Sequence, residues 1–259
     1  MNKDIRVFLY TEYPSSSLDI NLIIESLRKY GFTVENRGDI LDYLCPSESS
    51  VFNLARRFSE ARIPDVSRPV DSPNKDNQSQ IDSELNKILG LENIRGNFYD
   101  GYWIQRTLYR LLVDKLDLNL DDGDVHIIFT GRLFGTFEDR RYHARVVLMG
   151  IPSLVSTSGL VEAPAKPREY YYVRGRMVQS GMDISELDNI YKGRFVDYDD
   201  PKITSILTSY ALQVIFYELT GKAFCDNATC CLSNSHWQEE VLKVQYQGKL
   251  CDKCNDILS

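Results

Sequence analysis

The hydrophobic pattern of the first 35 residues predicts a β-α-β unit. Residues 5–10 form a short apolar run of the kind found in a buried strand, and residues 32–35 form a second one. Between them, over residues 18–30, apolar side chains recur at helical spacing, and Gly31 stands where a glycine commonly ends a helix. The stripe consists of Leu18, Leu22, Ile23 and Leu27.

In the rest of the chain, segments with the helical spacing of apolar residues continue to alternate with apolar runs typical of strands. Helices are expected over residues 50–61, 102–118 and 203–220, strands over 125–130 and 145–149, and a turn over 121–124. No internal repeat interrupts this order. The pattern predicts an α/β fold with strands and helices mixed, and a single domain over residues 1–259.

Residues 64–82 break the pattern, because this segment holds three prolines and few apolar groups. Such a composition is typical of a loop. We expect a flexible loop or insertion here rather than a boundary between two domains.

Composition narrows the class of protein. Hydrophobic residues make up 43% and charged residues 26% of the chain, which excludes a wholly disordered chain, a collagen or a coiled-coil rod. The net charge of -7 gives no overall basic surface for nucleic acid. No apolar run reaches the roughly 18 residues of a membrane helix, and no signal peptide is recognisable at the start. We therefore expect a cytoplasmic protein without a membrane partner.

Five of the six cysteines lie in the last 35 residues, and only Cys45 stands apart. In a reducing compartment, cysteine pairs at short spacing indicate a metal rather than disulfides. Cys225 and Cys230 form one pair, and Cys251 and Cys254 form the other. Two such pairs are typical of a structural zinc site with four thiolate ligands. The spacing leaves open whether Cys230 or Cys231 is the ligand, and the alternative is a set of free thiols.

The central segment is rich in side chains that bind anions. Arg132, Arg140, Arg141 and Arg145 lie within 14 positions. If residues 141–149 form a strand, Arg141, His143 and Arg145 share one face, which suits a carboxylate or phosphate ligand. The alternative is a solvated sheet face. The cluster at 156–159 is typical of a turn, and Pro164 and Pro167 predict an extended course.

The cysteine pattern resembles the C-terminal region of archaemetzincins. That family has C-x4-C-x-M followed by C-x2-C after its catalytic helix; here Leu232 replaces the methionine, and the gap is one residue longer. The resemblance implies a metzincin-like mixed sheet with packed helices, and a zinc-binding C-terminal subdomain over residues 222–259. It also implies a structural zinc held by Cys225, Cys230, Cys251 and Cys254. The whole chain, including GLVEAPAKPREYY, is similar to an archaeal family of metallopeptidases.

The catalytic motif of archaemetzincins, HExxHxxGxxHC, is not kept. The corresponding segment reads VIFYELTGKAFC. Glu218 matches the catalytic glutamate, whereas Tyr217, Gly221 and Phe224 stand where histidine ligands are expected. In this alignment the distance from Glu218 to Cys225 is three residues short.

A second metal site would need histidines from elsewhere, and the chain has three. His236 with Glu239 or Glu240 would share one face of a helix and offer a half-site, with His143 as a further ligand. The alternative is that His236 and Trp237 pack near the cysteines. His126 lies in an apolar strand and is expected to be a core histidine.

These observations favour a zinc-binding, metallopeptidase-like protein that lacks the standard catalytic zinc site. It would bind a peptide or a small acidic ligand in a cleft lined by Arg141, His143, Arg145 and Glu162. The alternative is an active zinc-dependent peptide hydrolase with a non-standard site built from Glu218, His143 and His236. A nucleic-acid module ranks last, because residues 222–259 hold four lysines and no arginine.

Overall fold

The computed structural model describes residues 5–13, 16–45, 47–70, 77–116 and 123–259. The strands are β1 (Arg6–Glu12), β2 (Thr33–Asp39), β3 (Phe98–Asp100), β4 (Val125–Thr130), β5 (Leu133–Glu138), β6 (Arg141–Arg145), β7 (Val147–Leu148) and β8 (Ser153–Ser156). The helices are α1 (Ile20–Arg28), α2 (Ile40–Leu44), α3 (Glu48–Glu60), α4 (Gln78–Ile88), α5 (Gly101–Leu116), α6 (Thr157–Glu162), α7 (Arg168–Gln179), α8 (Leu187–Ile190), α9 (Ile203–Thr220), α10 (Gln238–Lys243) and α11 (Asp252–Leu258).

The strands form two sheets. The larger has the order β2-β1-β4-β8-β7, in which only β7 runs antiparallel to its neighbour. The smaller has the order β3-β5-β6, with β3 and β5 parallel and β6 antiparallel. The predicted α/β class with mixed strands is therefore confirmed.

The larger sheet is covered by helices on both faces. Val7 and Leu9 of β1 face the core that α1 and α9 share, whereas Phe8 and Tyr10 face the core formed with α2, α3 and α5. Because the two faces of a strand alternate, a strand buried on both sides is apolar at every position. This explains the continuous apolar runs at residues 7–10 of β1 and 127–129 of β4.

Several predicted boundaries need correction. The segment 141–149 is not one strand, because β6 ends at Arg145 and β7 covers only two residues. The predicted loop over 64–82 is wrong at its end, since residues 78–82 form the start of α4, where the Asn77 side chain accepts a hydrogen bond from the Gln80 amide. Residues 71–76 of that loop, 117–118 of the predicted helix and 121–122 of the predicted turn lie outside the described residues.

Helix α9 is buried around most of its circumference from Ile203 to Phe216, and among these residues only Ser205 is exposed. A helix of this kind is stable only when it is surrounded by protein, and it packs against α1, the larger sheet and the C-terminal segment. It ends at Gly221, whose φ of 70° is the left-handed conformation that glycine adopts without strain. Among the described residues, no helix is both long and apolar enough to cross a membrane.

A buried ion network lies at the carboxyl end of the larger sheet, around Arg132. Its side chain is fully buried; Nε donates to Glu12 at 2.6 Å and Nη1 donates to Glu84 at 2.6 Å. The guanidinium carbon lies over the rings of Phe58 at 4.3 Å and Tyr99 at 5.1 Å. Through this network Arg132, two residues beyond the end of β4, contacts residues of β1, α3, α4 and β3.

The carboxylate of Glu84 also accepts hydrogen bonds from Tyr99 and Arg62. Burial acts to raise the pKa of Glu84, but the guanidinium groups of Arg132 and Arg62 outweigh it and hold the pKa below its ordinary value. Glu84 is thus held in its charged form by the two guanidinium groups.

We expect Arg132→Met to lower the free energy of unfolding by about 3–5 kcal/mol, because it leaves two buried carboxylates without their shared cation. Arg6→Met is the matched control, since the exposed pair of Arg6 with Asp124 contributes at most about 1 kcal/mol. Urea unfolding at pH 7 measures both. Equal losses of unfolding free energy in the two variants would contradict the stabilising role of the buried network.

His126 is buried between the rings of Phe8 and Tyr10 on the sheet. Its Nδ1 is 3.0 Å from the Tyr10 hydroxyl, and its Nε2 has no hydrogen-bond partner among the described residues. Burial lowers the pKa of His126 to about 4. The side chain is therefore a neutral core histidine, as the apolar strand indicated.

Because the pKa of His126 is about 4 in the folded chain and about 6.5 in the unfolded chain, the unfolded state binds a proton first as the pH falls. We expect His126 to remove about 3 kcal/mol of stability between pH 6.5 and pH 4. Urea unfolding across this range checks it: His126→Phe reduces the pH dependence, and His143→Phe, at a position that is not fully buried, leaves it unchanged. Superimposable curves for His126→Phe and the unsubstituted chain would rule this out.

Candidate metal centre and adjoining cleft

Four cysteine side chains converge beyond the end of α9. The Sγ atoms of Cys225, Cys230, Cys251 and Cys254 all lie within 4.8 Å of one another. The Sγ atoms of Cys225 and Cys251 are 3.7 Å apart. This is too long for a disulfide of about 2.05 Å, but it matches the separation of about 3.8 Å between two sulfurs of a tetrahedron with Zn–S bonds of about 2.3 Å.

Local turns aim these sulfurs at a common point. The Asn227 side chain accepts hydrogen bonds from the backbone and hydroxyl of Thr229, which shapes the turn between the first two cysteines. Cys251 immediately precedes α11 and Cys254 lies in its first turn. The amides of Asn227 and Cys251 point at Cys225 Sγ and Cys230 Sγ, at 3.4 Å and 3.5 Å. Such amide contacts orient and stabilise thiolate ligands.

The neighbouring Cys231 points elsewhere. Its backbone amide donates to Lys249 and its side chain is buried in the core that contains α9. Burial raises the pKa of the Cys231 thiol to about 12, so this group is a neutral core thiol. The spacing left open whether Cys230 or Cys231 joins the cluster. In the structure, the Sγ atom that lies with those of the other three cysteines is that of Cys230.

Two buried glutamines fasten the loop between the cysteine pairs. The Nε2 atoms of Gln213, on α9, and Gln245 both donate to the backbone oxygen of Ser233, at 3.1 Å and 2.8 Å. The hydroxyl of Ser235 donates to Oε1 of Gln245. Neither glutamine was predicted as a functional residue from the sequence. The available signal was that Gln213 is a polar residue among the apolar positions of α9.

A cleft opens beside this loop. Its walls come from segments 144–147, 163–164 and 234–236, with Tyr210 of α9 and Phe224 also lining it. Arg145 and His236 supply its ionisable side chains. Tyr210 is buried, and burial raises the pKa of its phenol, which therefore stays neutral.

The three predicted catalytic residues are not brought together. Among the described residues, the four cysteines are the one group of three or more His, Cys, Asp or Glu side chains placed to hold a metal, so Glu218, His143 and His236 do not form a second one. Glu218 is exposed near the end of α9. His143 lies on β6, where its Nε2 is 3.4 Å from Nε of Arg141.

The predicted helical half-site around His236 is wrong. Helix α10 begins at Gln238, so His236 precedes it. The Glu240 carboxylate accepts hydrogen bonds from the amides of His236 and Trp237, and Glu239 forms an ion pair with Arg194 at 2.6 Å. Both carboxylates are thus engaged in holding the chain rather than directed at the imidazole.

The arginine face is partly neutralised within its own sheet. Arg141, His143 and Arg145 lie at alternate positions of β6, as predicted. Arg145 donates to Thr136 and pairs with Glu138 at 2.7 Å, whereas Arg141 is exposed. Glu162 accepts a hydrogen bond from Tyr198. Of the four residues expected to line a cleft, Arg145 alone does so.

The end of α9 revises the comparison with the catalytic motif. Gly221 ends the helix in a left-handed conformation, and the motif HExxHxxGxxHC also contains a glycine four residues before its cysteine. Counting back from Cys225 places Gly221 on that glycine without a gap, so the three-residue discrepancy disappears. Val214, Glu218 and Phe224 then occupy the histidine positions, and Ile215 occupies that of the glutamate. Glu218 therefore no longer corresponds to the catalytic base.

Comparison with known proteins identifies the family. The model of the "Probable metallopeptidase family (DUF6775)" matches residues 3–259. The chain belongs to this family, which confirms the resemblance to metallopeptidases. The comparison with curated proteins finds no match.

Two solved structures are similar in outline. A zinc-dependent peptidase from Methanocorpusculum labreanum (strain Z) has 13% sequence identity and a TM-score of 0.47, over 98% of this chain and 100% of the other. Archaemetzincin from Methanopyrus kandleri has 12% identity and a TM-score of 0.44, over 98% of this chain and 93% of the other. Both TM-scores lie below 0.5, so neither structure assigns the fold.

Proposed function

We propose that this member of a metallopeptidase family is a zinc-stabilised protein that binds peptides in the cleft beside α9 without the standard catalytic zinc. The proposal is carried by one observation, namely that the cysteine cluster and the cleft are separate features of the structure. The side chains that could hold a metal are gathered in the cysteine cluster, and the cleft is lined by Phe224 where the archaemetzincin motif has a histidine.

Zinc suits the cysteine cluster by its donor chemistry. Four thiolates in a closed tetrahedral set are typical of structural zinc and leave no position for a reactive water. Burial raises the pKa of Cys230 and Cys254, so these groups need a bound cation to be thiolates at neutral pH. The ion would join the end of α9 to α11 and thereby hold the loop that forms one wall of the cleft.

We expect one zinc per chain in protein purified without added metal or a metal-affinity tag. Cys254→Ser should lose the metal and lower the melting temperature by on the order of 10 °C, because metal binding is coupled to folding. Cys231→Ser is the matched control and should retain the metal. Metal analysis with calorimetry tests this, and loss of metal from the Cys231 variant alone would overturn the ligand assignment.

The walls of the cleft suit an extended peptide. Segment 144–147 includes the end of β6 and the start of β7, each the last strand of its sheet, and extended peptides commonly add to such sheet edges through backbone hydrogen bonds. Arg145 and His236 add polar contacts that fix a ligand's orientation.

Peptide binding is measured by fluorescence anisotropy with a library of labelled decapeptides. We expect Arg145→Ala and His236→Ala each to weaken the best binder about tenfold, equivalent to about 1.4 kcal/mol. His143→Ala, which removes an imidazole that does not line the cleft, should leave the affinity unchanged. Equal affinities in all variants would refute the cleft as the binding site.

The active hydrolase remains the alternative outcome of the same experiment. Incubation of the best binder with the protein should leave the peptide intact by mass spectrometry. Turnover that disappears in Glu218→Gln, together with a second bound metal lost in His143→Ala or His236→Ala, would replace the binding proposal by a peptidase with a non-standard site.

A further inference from the structure

Helix α7 stands away from the two main cores and has no fully buried residue. One side, formed by Tyr170, Val173 and Met177, packs against a small separate cluster of Leu187, Tyr191 and Phe195. The opposite side of α7 faces solvent, and its contacts with the rest of the chain include the hydrogen bond from the Lys166 amide to the Tyr171 hydroxyl at 3.0 Å.

That opposite side exposes apolar side chains between arginines. The α7 surface consists of Arg168, Tyr171, Tyr172, Arg174, Gly175, Arg176 and Val178. The exposed fractions of Tyr171, Tyr172 and Val178 are 47%, 66% and 59%. Glycine inside a helix costs about 1 kcal/mol relative to alanine, and a Cβ at Gly175 would meet nothing within 4 Å, so packing within the chain does not require it. An exposed apolar group of this kind is typical of an interaction site.

The charges of α7 are opposite in sign to those of the whole chain. The helix carries Arg168, Arg174 and Arg176 against one acid, Glu169, which pairs with Arg194. Within the described residues, no ion pair involves Arg174 or Arg176; the guanidinium of Arg176 lies 5.9 Å from the ring of Tyr172. In a protein of net charge -7, this is a local cationic surface.

The α7 surface is joined to the cleft through the segment that precedes it. Pro164 lines the cleft, and the next residue, Ala165, exchanges backbone hydrogen bonds with His236 and Gln238. Arg168 begins α7 and lies over the Trp237 ring at 5.2 Å. An extended ligand leaving the cleft along this wall reaches α7 next.

We propose that the α7 surface binds the continuation of the peptide held in the cleft and selects peptides with acidic and apolar side chains in that part. This inference rests on the proposed function and names its ligand class. Carboxylates of the peptide pair with Arg174 and Arg176, and apolar side chains cover Tyr171, Tyr172 and Val178, with Gly175 allowing close approach of the backbone.

The surroundings favour a peptide over a polyanion. Three acidic residues, Asp183, Glu186 and Asp188, follow α7 within the same segment and are exposed. A continuous phosphate backbone or an anionic bilayer would be repelled by them, whereas separate carboxylates can reach the arginines individually.

The test uses three labelled peptides of 16 residues that share one apolar pattern and carry Asp/Glu, Ser/Gln or Lys at the remaining positions. We expect the acidic peptide to bind at least tenfold more tightly than the neutral one at 50 mM salt, and this preference to disappear in Arg174→Glu/Arg176→Glu. The matched control is Arg106→Glu/Arg110→Glu, which reverses two exposed arginines of α5. Circular dichroism verifies that both variants are folded.

The outcomes separate the two proposals. If Arg145→Ala weakens all peptides but the α7 reversal weakens none, the cleft stands and the α7 inference is wrong. If neither variant changes any affinity, both proposals fail. Equal losses in the α5 control indicate an effect of net charge alone and overturn the inference, as does preferential binding of the unsubstituted protein to a single-stranded oligonucleotide or to phosphatidylserine vesicles.

Discussion

The buried guanidinium of Arg132 constrains the relative positions of the strands and helices around it. A charge removed from water is stable only while its partners stay in place, and here the partners come from β1, through Glu12, and from α4, through Glu84. The aromatic rings of Phe58 and Tyr99 close over the same group. These elements therefore cannot shift independently, and the helical layer on this face of the sheet is positioned by electrostatics as well as by packing.

The other face of the sheet depends on α9. Its apolar surface is covered by α1, by the sheet and by the segment that contains the cysteines. Gln213 extends this dependence to the loop of Ser233, because its side-chain amide, together with that of Gln245, donates to the buried backbone oxygen of Ser233. The cleft therefore lies between a rigid sheet edge and a loop that is held by hydrogen bonds and by the cysteine cluster.

Sequence periodicity predicted the elements with a strong apolar pattern, namely β1, α1, β4 and α9, and the cysteine spacing predicted the residues that converge. It did not predict α10, because the helix is short and begins after His236 instead of containing it. The match of Glu218 to the glutamate of the archaemetzincin motif left three residues unaccounted for, although the helix predicted over 203–220 already placed Gly221 at the end of α9. Long-range pairings such as those of Arg132 leave no local signal, so neither their partners nor their burial was predictable.

The order of residues along the chain makes one wall of the cleft depend on the cysteine cluster. Its wall at residues 234–236 lies between Cys230 and Cys251, so the wall belongs to a loop bounded by two of the four clustered cysteines. During synthesis, ribosomes must add the residues through Cys254 before all four sulfurs exist together. With zinc in the cluster, as proposed, a chain released before that point, or one made in a cell starved of zinc, would have the sheet and α9 but an unfinished wall. Ligand capture would then report both completion of translation and supply of metal.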